Sequence, residues 1–368
     1  MRLHRLVSCA AAVPLLATLV TACTPRARVT GNGMSGPAAA FVVPGTEQED
    51  VREEVYALAD DSMMGRFTGS EGAERAARYI AGKLRHFAVH PAGDGGGFLQ
   101  RMPIAYTNPE NPRRGIRLLN AWADTAGYPR ERRGSAANVV GIIPGTDPEL
   151  RGQVVLIDAH YDHIGAAAEG ACRPIGADAI CNGADDDASG VVTVLEIARE
   201  FHRGPGPKRT VVLLLTTGEE VGLLGTQWYI RHPVRPLETT VANMEIEMIG
   251  RPDPMVGGVG RAWLTGFDRS TMGEMLTAAG IPIVNDPRPD QNFFERSDNI
   301  AFARLGIPAH TLSTFNLHGD YHTPRDEASR IDYAHMTQVI RAAVRAARIL
   351  ADGPAPVWKP GGRPEGGP

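Results

Sequence analysis

"QVVLIDAHYDHIG", residues 153–165, decides how this chain folds. Its first half, Val154 to Ile157, is a continuous apolar run, as expected of a strand covered on both faces. Its second half turns polar at alternate positions. Side chains alternate across a strand, so Asp158, His160 and Asp162 share one face and Tyr161 takes the other. Similar runs recur at "NVVGII" (138–143), "RTVVLLLTT" (209–217), "VANMEIEMI" (241–249) and "IPAHTLS" (307–313). Between and around them, "EGAERAARYIAGKLRHF" (71–87), "SGVVTVLEIAREFHR" (189–203), "EVGLLGTQWYIR" (220–231) and "DYAHMTQVIRAAVRAARIL" (332–350) read as helices. Strands alternating with helices predict an α/β fold: a three-layer α/β/α sandwich around a mixed, mostly parallel sheet, forming one catalytic domain.

In open α/β sheets, ligands lie just beyond the carboxyl ends of the strands, so the chemistry is sought where each apolar run stops. After the first run, His160 offers a ring nitrogen to a metal, and Asp162 is placed to take the proton on the other. Alone, such a pair reads as a surface hydrogen bond. "GADDDASG" (183–190) sets three consecutive carboxylates ahead of a helix that begins at Ser189. A helix N-terminus explains one capping aspartate, not three. A calcium loop spaces its carboxylates at alternate positions and closes on a glutamate, which this stretch does not do. "LLLTTGEEVGLLG" (213–225) runs a buried strand into Glu219 and Glu220. Adjacent carboxylates can divide metal binding from proton transfer, although a glutamate pair also suits a helix start. "NMEIEMIG" (243–250) puts Asn243, Glu245 and Glu247 on one face and Met244, Ile246 and Met248 on the other. Two inward glutamates on a buried strand are costly unless paired or metal-bound. "HGDYHTPRD" (318–326) adds His318, Asp320, Tyr321 and His322. Five clusters of oxygen and imidazole groups, none with a cysteine, suit zinc in an open, catalytic site.

The order H-x-D, G-x-D-D-D-x-S-G, G-E-E-x-G-L-x-G, E-M-I-G and D-Y-H-T-P resembles the co-catalytic di-zinc exopeptidases, the family of bacterial double-zinc aminopeptidases. Glutamate carboxypeptidases and glutaminyl cyclases are relatives. The resemblance spans most of residues 50–350, including "MMGRFTGSEGAERAARYIAGKL" (63–84) and "ERSDNIAFARLGIPAHTL" (295–312). It implies two zinc ions (Zn2+). His160 and Glu247 would bind the first, Glu220 and His322 the second, and Asp186 would bridge them. Asp187 would turn to the loop backbone. Glu219 would be the general base, Tyr321 the hydrogen-bond donor to the oxyanion, and Asp162 the group that orients His160. Glu247 stands where the family commonly has Asp, so Glu245 is an alternative ligand. The implied activity is hydrolysis of the N-terminal peptide bond of a peptide substrate. A carboxypeptidase or dipeptidase, a glutaminyl cyclase and a non-catalytic binding relative are the alternatives.

The bulk properties agree with an exported enzyme. Hydrophobic content is 43% and charged content 22%, ordinary for a globular protein. A formal net charge of −4 gives no basic surface of the kind nucleic acid needs. "MRLHRLVSCAAAVPLLATLVTAC" has a basic start and an apolar run too short for a comfortable membrane span. Its "VTAC" end resembles a bacterial lipoprotein processing site, which would make Cys23 a lipid anchor and the sole membrane contact. The expected organisation is a lipoprotein signal peptide (1–22), a flexible tether (23–45), the peptidase domain (46–352) and a disordered Pro/Gly tail (353–368). The mature protein would face the periplasm or the cell exterior. Once Cys9 is removed and Cys23 lipidated, Cys172 and Cys181 are left, and a close pair in an exported chain reads as a loop disulfide.

Overall fold

A computed structural model describes residues 45–108, 111–169 and 172–366. The expected signal peptide, and all of the expected tether except Gly45, lie outside these. Among the described residues the apolar runs occupy the middle of one ten-stranded sheet. In chain order its strands are β1 (His90–Pro91), β2 (Leu99–Tyr106), β3 (Ile116–Leu118), β4 (Arg133–Ile143) and β5 (Val154–His160). There follow β6 (Thr210–Thr216), β7 (Thr240–Glu247), β8 (Ala262–Leu264), β9 (Ile283–Asn285) and β10 (Ala309–Ser313). They lie side by side in the order β3-β2-β4-β6-β5-β7-β10-β8-β9, with β1 against β4. The sheet is mixed. Its parallel pairing is concentrated in the four central strands β6, β5, β7 and β10. Antiparallel strands β4, β2 and β3 extend one side, and β8, antiparallel to β10, begins the other.

Seven α-helices flank the sheet among the described residues: α1 (Gln48–Leu58), α2 (Glu71–His86), α3 (Ser189–Arg203), α4 (Leu224–Arg231), α5 (Met272–Ala278), α6 (Asn299–Arg304) and α7 (Tyr333–Asp352). Strand alternation sends Val155, Ile157 and Ala159 to one face, where they pack with Val55 of α1, Ile80 of α2, Val194 of α3 and Val339 of α7. Val154 and Leu156 point the other way, toward Tyr229 of α4 and Phe302 of α6. These two apolar layers make the three-layer sandwich. The helices end as their sequences direct. Ser70 accepts a hydrogen bond from Ala73 N at the start of α2, and Lys83, Arg85 and His86 lie in its last turn, where they favour the helix dipole.

Two differences from the sequence reading bear on the site. Helix α4 begins at Leu224, not at Glu220. Gly218 and Gly222 hold φ of 80° and 110°, and Leu223 is left-handed as well, so Glu219 and Glu220 sit in a turn ahead of the helix. The tail, expected to be disordered, is described through Glu365 and Gly366 and packs on the domain. Trp358 Nε1 donates to Gly306 O at 2.9 Å, Val357 N to Thr271 Oγ1, and Arg363 to Arg304 O. A single large aromatic with a satisfied N–H fixes a segment that composition alone leaves loose. Cys172 and Cys181 are joined, with Cα atoms 5.7 Å apart, and the pair packs on Ile164.

Candidate metal centre

Strand ends β5, β6 and β7 lie next to one another in the sheet, so their terminal carboxylates and imidazoles converge. His160 closes β5. Its Nδ1 donates to the carbonyl oxygen of Asp162 at 3.1 Å, which leaves Nε2 free, 3.3 Å from Asp186 Oδ1. The orienting acceptor is therefore the Asp162 carbonyl. The Asp162 carboxylate stands 3.9 Å away and accepts instead from Thr68 Oγ1 and Glu219 N. The Asp162 side chain, expected to orient the His160 ring, instead holds the turn that carries Glu219, and the ring is left to the backbone carbonyl.

The three aspartates separate by direction. Asp187 Oδ1 accepts from Gly190 N and Met248 N, tying its loop to α3 and to the end of β7. Asp185 Oδ1 accepts from Gly250 N at 2.7 Å, and its Oδ2 lies 3.0 Å from His318 Nε2. Only Asp186 faces the open site. Backbone N–H groups of Asp185 and Asp186 donate to Asp326, which the sequence reading left without a role. Arg66, also missed, is fully buried and donates to the carbonyls of Leu58, Tyr161, Asn182 and Gly183. It braces both metal-side loops and sets a positive charge behind Asp186, Asp326 and Asp162.

Two groups of ligating atoms share Asp186: His160, Asp186 and Glu247, and His163, Asp186, Glu220 and His322. His322 Nε2 lies 2.8 Å from Glu220 Oε1 and 3.0 Å from Asp186 Oδ2. Burial would lower the His322 pKa, but contacts with these two carboxylates outweigh it and raise the ring to about 9. Burial and the Asp186 charge would raise Glu220, yet His163 and His322 hold it at about 2. Burial, reinforced by Glu245, pushes Glu247 up to about 8. Burial also raises Glu219, His160 opposes the shift, and Glu220 and Glu247 add to it. So many buried carboxylates side by side are stable only with compensating positive charge.

Buried atoms without hydrogen-bond partners test whether a metal fits. His160 Nε2, Asp186 Oδ2, Glu220 Oε1, His322 Nε2 and both nitrogens of His163 lack one. With one donor atom from each residue, these oxygen and imidazole groups gather in the two sets that share Asp186, the donor types zinc takes. Tyr321 stacks on the His322 ring, with centroids 3.7 Å apart, and burial among the carboxylates raises its hydroxyl pKa. Glu219 belongs to neither ligand group, yet lines the same pocket as Asp186, Glu247 and Tyr321.

A sequence profile of Peptidase family M28 matches residues 138–347, more than half of the chain. The chain belongs to peptidase family M28. Vacuolar membrane proteases are similar to this M28 chain. The one from Lachancea thermotolerans is 27% identical over 222 residues, covering 59% of this chain and 20% of that protein. One from Aspergillus fumigatus is 30% identical over 203 residues, 52% of this chain and 18% of the relative. This chain thus spans about a fifth of the curated relatives it matches. The fold is similar to an aminopeptidase from Aneurinibacillus sp. strain AM-1, with TM-score 0.60, 16% identity and coverage of 89% and 98% of the two chains. It is also similar to a zinc aminopeptidase from Bacillus subtilis, with TM-score 0.57, 15% identity and coverage of 84% and 96%.

In this M28 peptidase, His160, Asp186, Glu220, Glu247 and His322 come together, with Glu219 and Tyr321 beside them. Glu245, the alternative to Glu247, does not join the two groups around Asp186. It accepts from Ser297 Oγ, Asp298 N, Asn299 N and Thr311 Oγ1, holding the start of α6. His163 joins the second group without having been singled out in the sequence. The available signal was a second histidine three residues after His160, where the strand has ended and face alternation no longer applies.

Proposed function

We propose that this M28 peptidase is a di-zinc aminopeptidase that removes single residues from the N-terminus of peptides. The observation that carries this reading is the contrast between two cavities, each lined by some of the candidate metal residues. One, about 50 Å³, is walled by Met248, Trp263, Phe293, Phe315 and Tyr321, and opens on Glu219 and Glu247. The other, about 920 Å³, leads away past Glu220 and His322. A small pocket with aromatic walls, which Arg296, Thr265, Thr311 and Ser313 also line, and a broad cleft beside it suit one side chain followed by a departing peptide.

His160, Asp186 and Glu247 would hold one zinc, and Asp186, Glu220 and His322 a second. Bound zinc supplies Lewis-acid polarisation of the scissile carbonyl and acidifies water. Glu219 takes the proton of the attacking water and returns it to the leaving amine. The Tyr321 hydroxyl donates to the oxyanion as charge develops there. Asp162, through the backbone N–H of Glu219, fixes the turn that carries the base.

The fitting experiment is a panel of aminoacyl peptides with N-acylated and C-amidated counterparts. We expect cleavage that requires the free amine, tolerates amidation and prefers an apolar first residue. A carboxypeptidase or dipeptidase is the second reading, because Arg113, Arg114 and Arg173 line the broad cleft and could grip a carboxylate. Cleavage of N-acylated peptides, lost on C-amidation, would favour it. Export and attachment through a lipidated Cys23 are part of the proposal. Named vacuolar membrane proteases among the relatives accord with membrane association. Among the described residues no helix is long and apolar enough to cross a membrane.

A further inference from the structure

His163 follows the end of β5 by three residues and is fully buried. Neither ring nitrogen makes a hydrogen bond of acceptable geometry, and Nε2 and Nδ1 are both shut off from solvent. Its Nδ1 lies 3.1 Å from Glu220 Oε1 and 3.5 Å from Asp186 Oδ2. Those two oxygens also face His322 Nε2, at 2.8 and 3.0 Å. In a tetrahedral zinc site with ligand distances of about 2.0–2.1 Å, neighbouring ligand atoms stand about 3.3–3.4 Å apart. The four observed separations bracket that value.

The chain makes room for the ring. A Cβ on Gly183 would fall 2.5 Å from His163 Cγ and 2.7 Å from Cδ2, so the glycine admits the imidazole beside the aspartate loop. His163 N donates to the carbonyl of Arg66, the residue that braces the same loop. On the other side, His160, Asp186 and Glu247 form a group of three donors among the described residues.

We propose that His163 is a fourth protein ligand of the second zinc, through Nδ1. The metal pair is then asymmetric. The site of His163, Asp186, Glu220 and His322 is closed, the arrangement that retains a metal, while the site of His160, Asp186 and Glu247 keeps a position open for water. The metal beside His160 is the one that exchanges. This rests on the two-metal reading given above.

The test is zinc affinity by chelator competition on the metal-free full chain, with the visible absorption of the cobalt-loaded protein as a second readout. The wild-type chain should bind two zincs in two affinity classes. His163→Ala should weaken the tighter class by at least about tenfold, the lower bound for losing even a group that only supports a ligand. It should leave the weaker class in place and alter the cobalt spectrum. Two zincs with affinities and cobalt spectrum indifferent to His163→Ala would overturn the proposal alone. One zinc in the wild-type chain would overturn the two-metal reading along with it. Should the variant fail to fold, a crystal structure of the zinc-loaded wild-type chain decides. Zinc at about 2.0–2.1 Å from His163 Nδ1 supports the assignment, and zinc out of reach of that atom overturns it.

Discussion

Asp185, Asp186 and Asp187 carry the same group, and the backbone around them assigns each a different partner. The outer two accept N–H groups from the loop after β7 and the start of α3, which leaves Asp186 pointing into the site. The adjacent glutamates divide in a similar way. Glu220 lies among histidines, and Glu219 lies beside the pocket outside both ligand groups. Glu219→Gln should keep zinc content near wild type while kcat falls by about 10²–10⁴, the usual loss when general acid–base help is removed. KM should change little, since the lost interaction belongs to the transition state. Glu220→Gln should lower zinc occupancy, a neutral amide being a poor ligand for a dication. Metal analysis and kinetics on both variants check the pair, and reversed results would exchange the two roles. His160, Glu245 and Glu247 were legible as candidates because strand alternation fixes which side chains share a face. Choosing Glu247 over Glu245 was not, because Glu245 finds its partners in Ser297 and Thr311, far away in sequence. Arg66 and Asp326 were illegible for the same reason.

At the scale of elements, the long central strands were legible because burial on both faces leaves an unbroken apolar run. The short strands β1, β3, β8 and β9 were not, since two or three residues show no period and their pairing is decided by neighbours. Helix α4 was placed too early because its start is set by backbone conformation at Gly218, Gly222 and Leu223. The tail was misjudged from its Pro and Gly content, which hides one anchoring side chain. Trp358 is half-buried, packs near Phe294 and Ile307, and has its ring centroid 5.6 Å from that of His310. Trp358→Ala should cost about 2 kcal/mol, roughly half of what a fully buried aromatic loses. Zinc content should stay unchanged, because no described tail residue belongs to the metal groups. Thermal or denaturant unfolding gives the cost, and an unchanged midpoint would show that the tail contributes nothing to the fold.

For the whole molecule, two apolar layers on opposite faces of the sheet supply the core, and the candidate metal groups sit at the carboxyl edge of its central strands. Stability and chemistry are therefore separable. Chelation should abolish turnover while far-ultraviolet circular dichroism stays native, and a chain that unfolds on chelation would show that the metal is structural. The central claim is that two zincs per chain, sharing Asp186, are needed for hydrolysis. Its most direct test is stepwise addition of zinc to the metal-free enzyme, with bound metal and peptidase activity measured together. Full activity should be reached only as occupancy approaches two zincs per chain. Full activity at one, with no further gain on binding a second, would contradict the account.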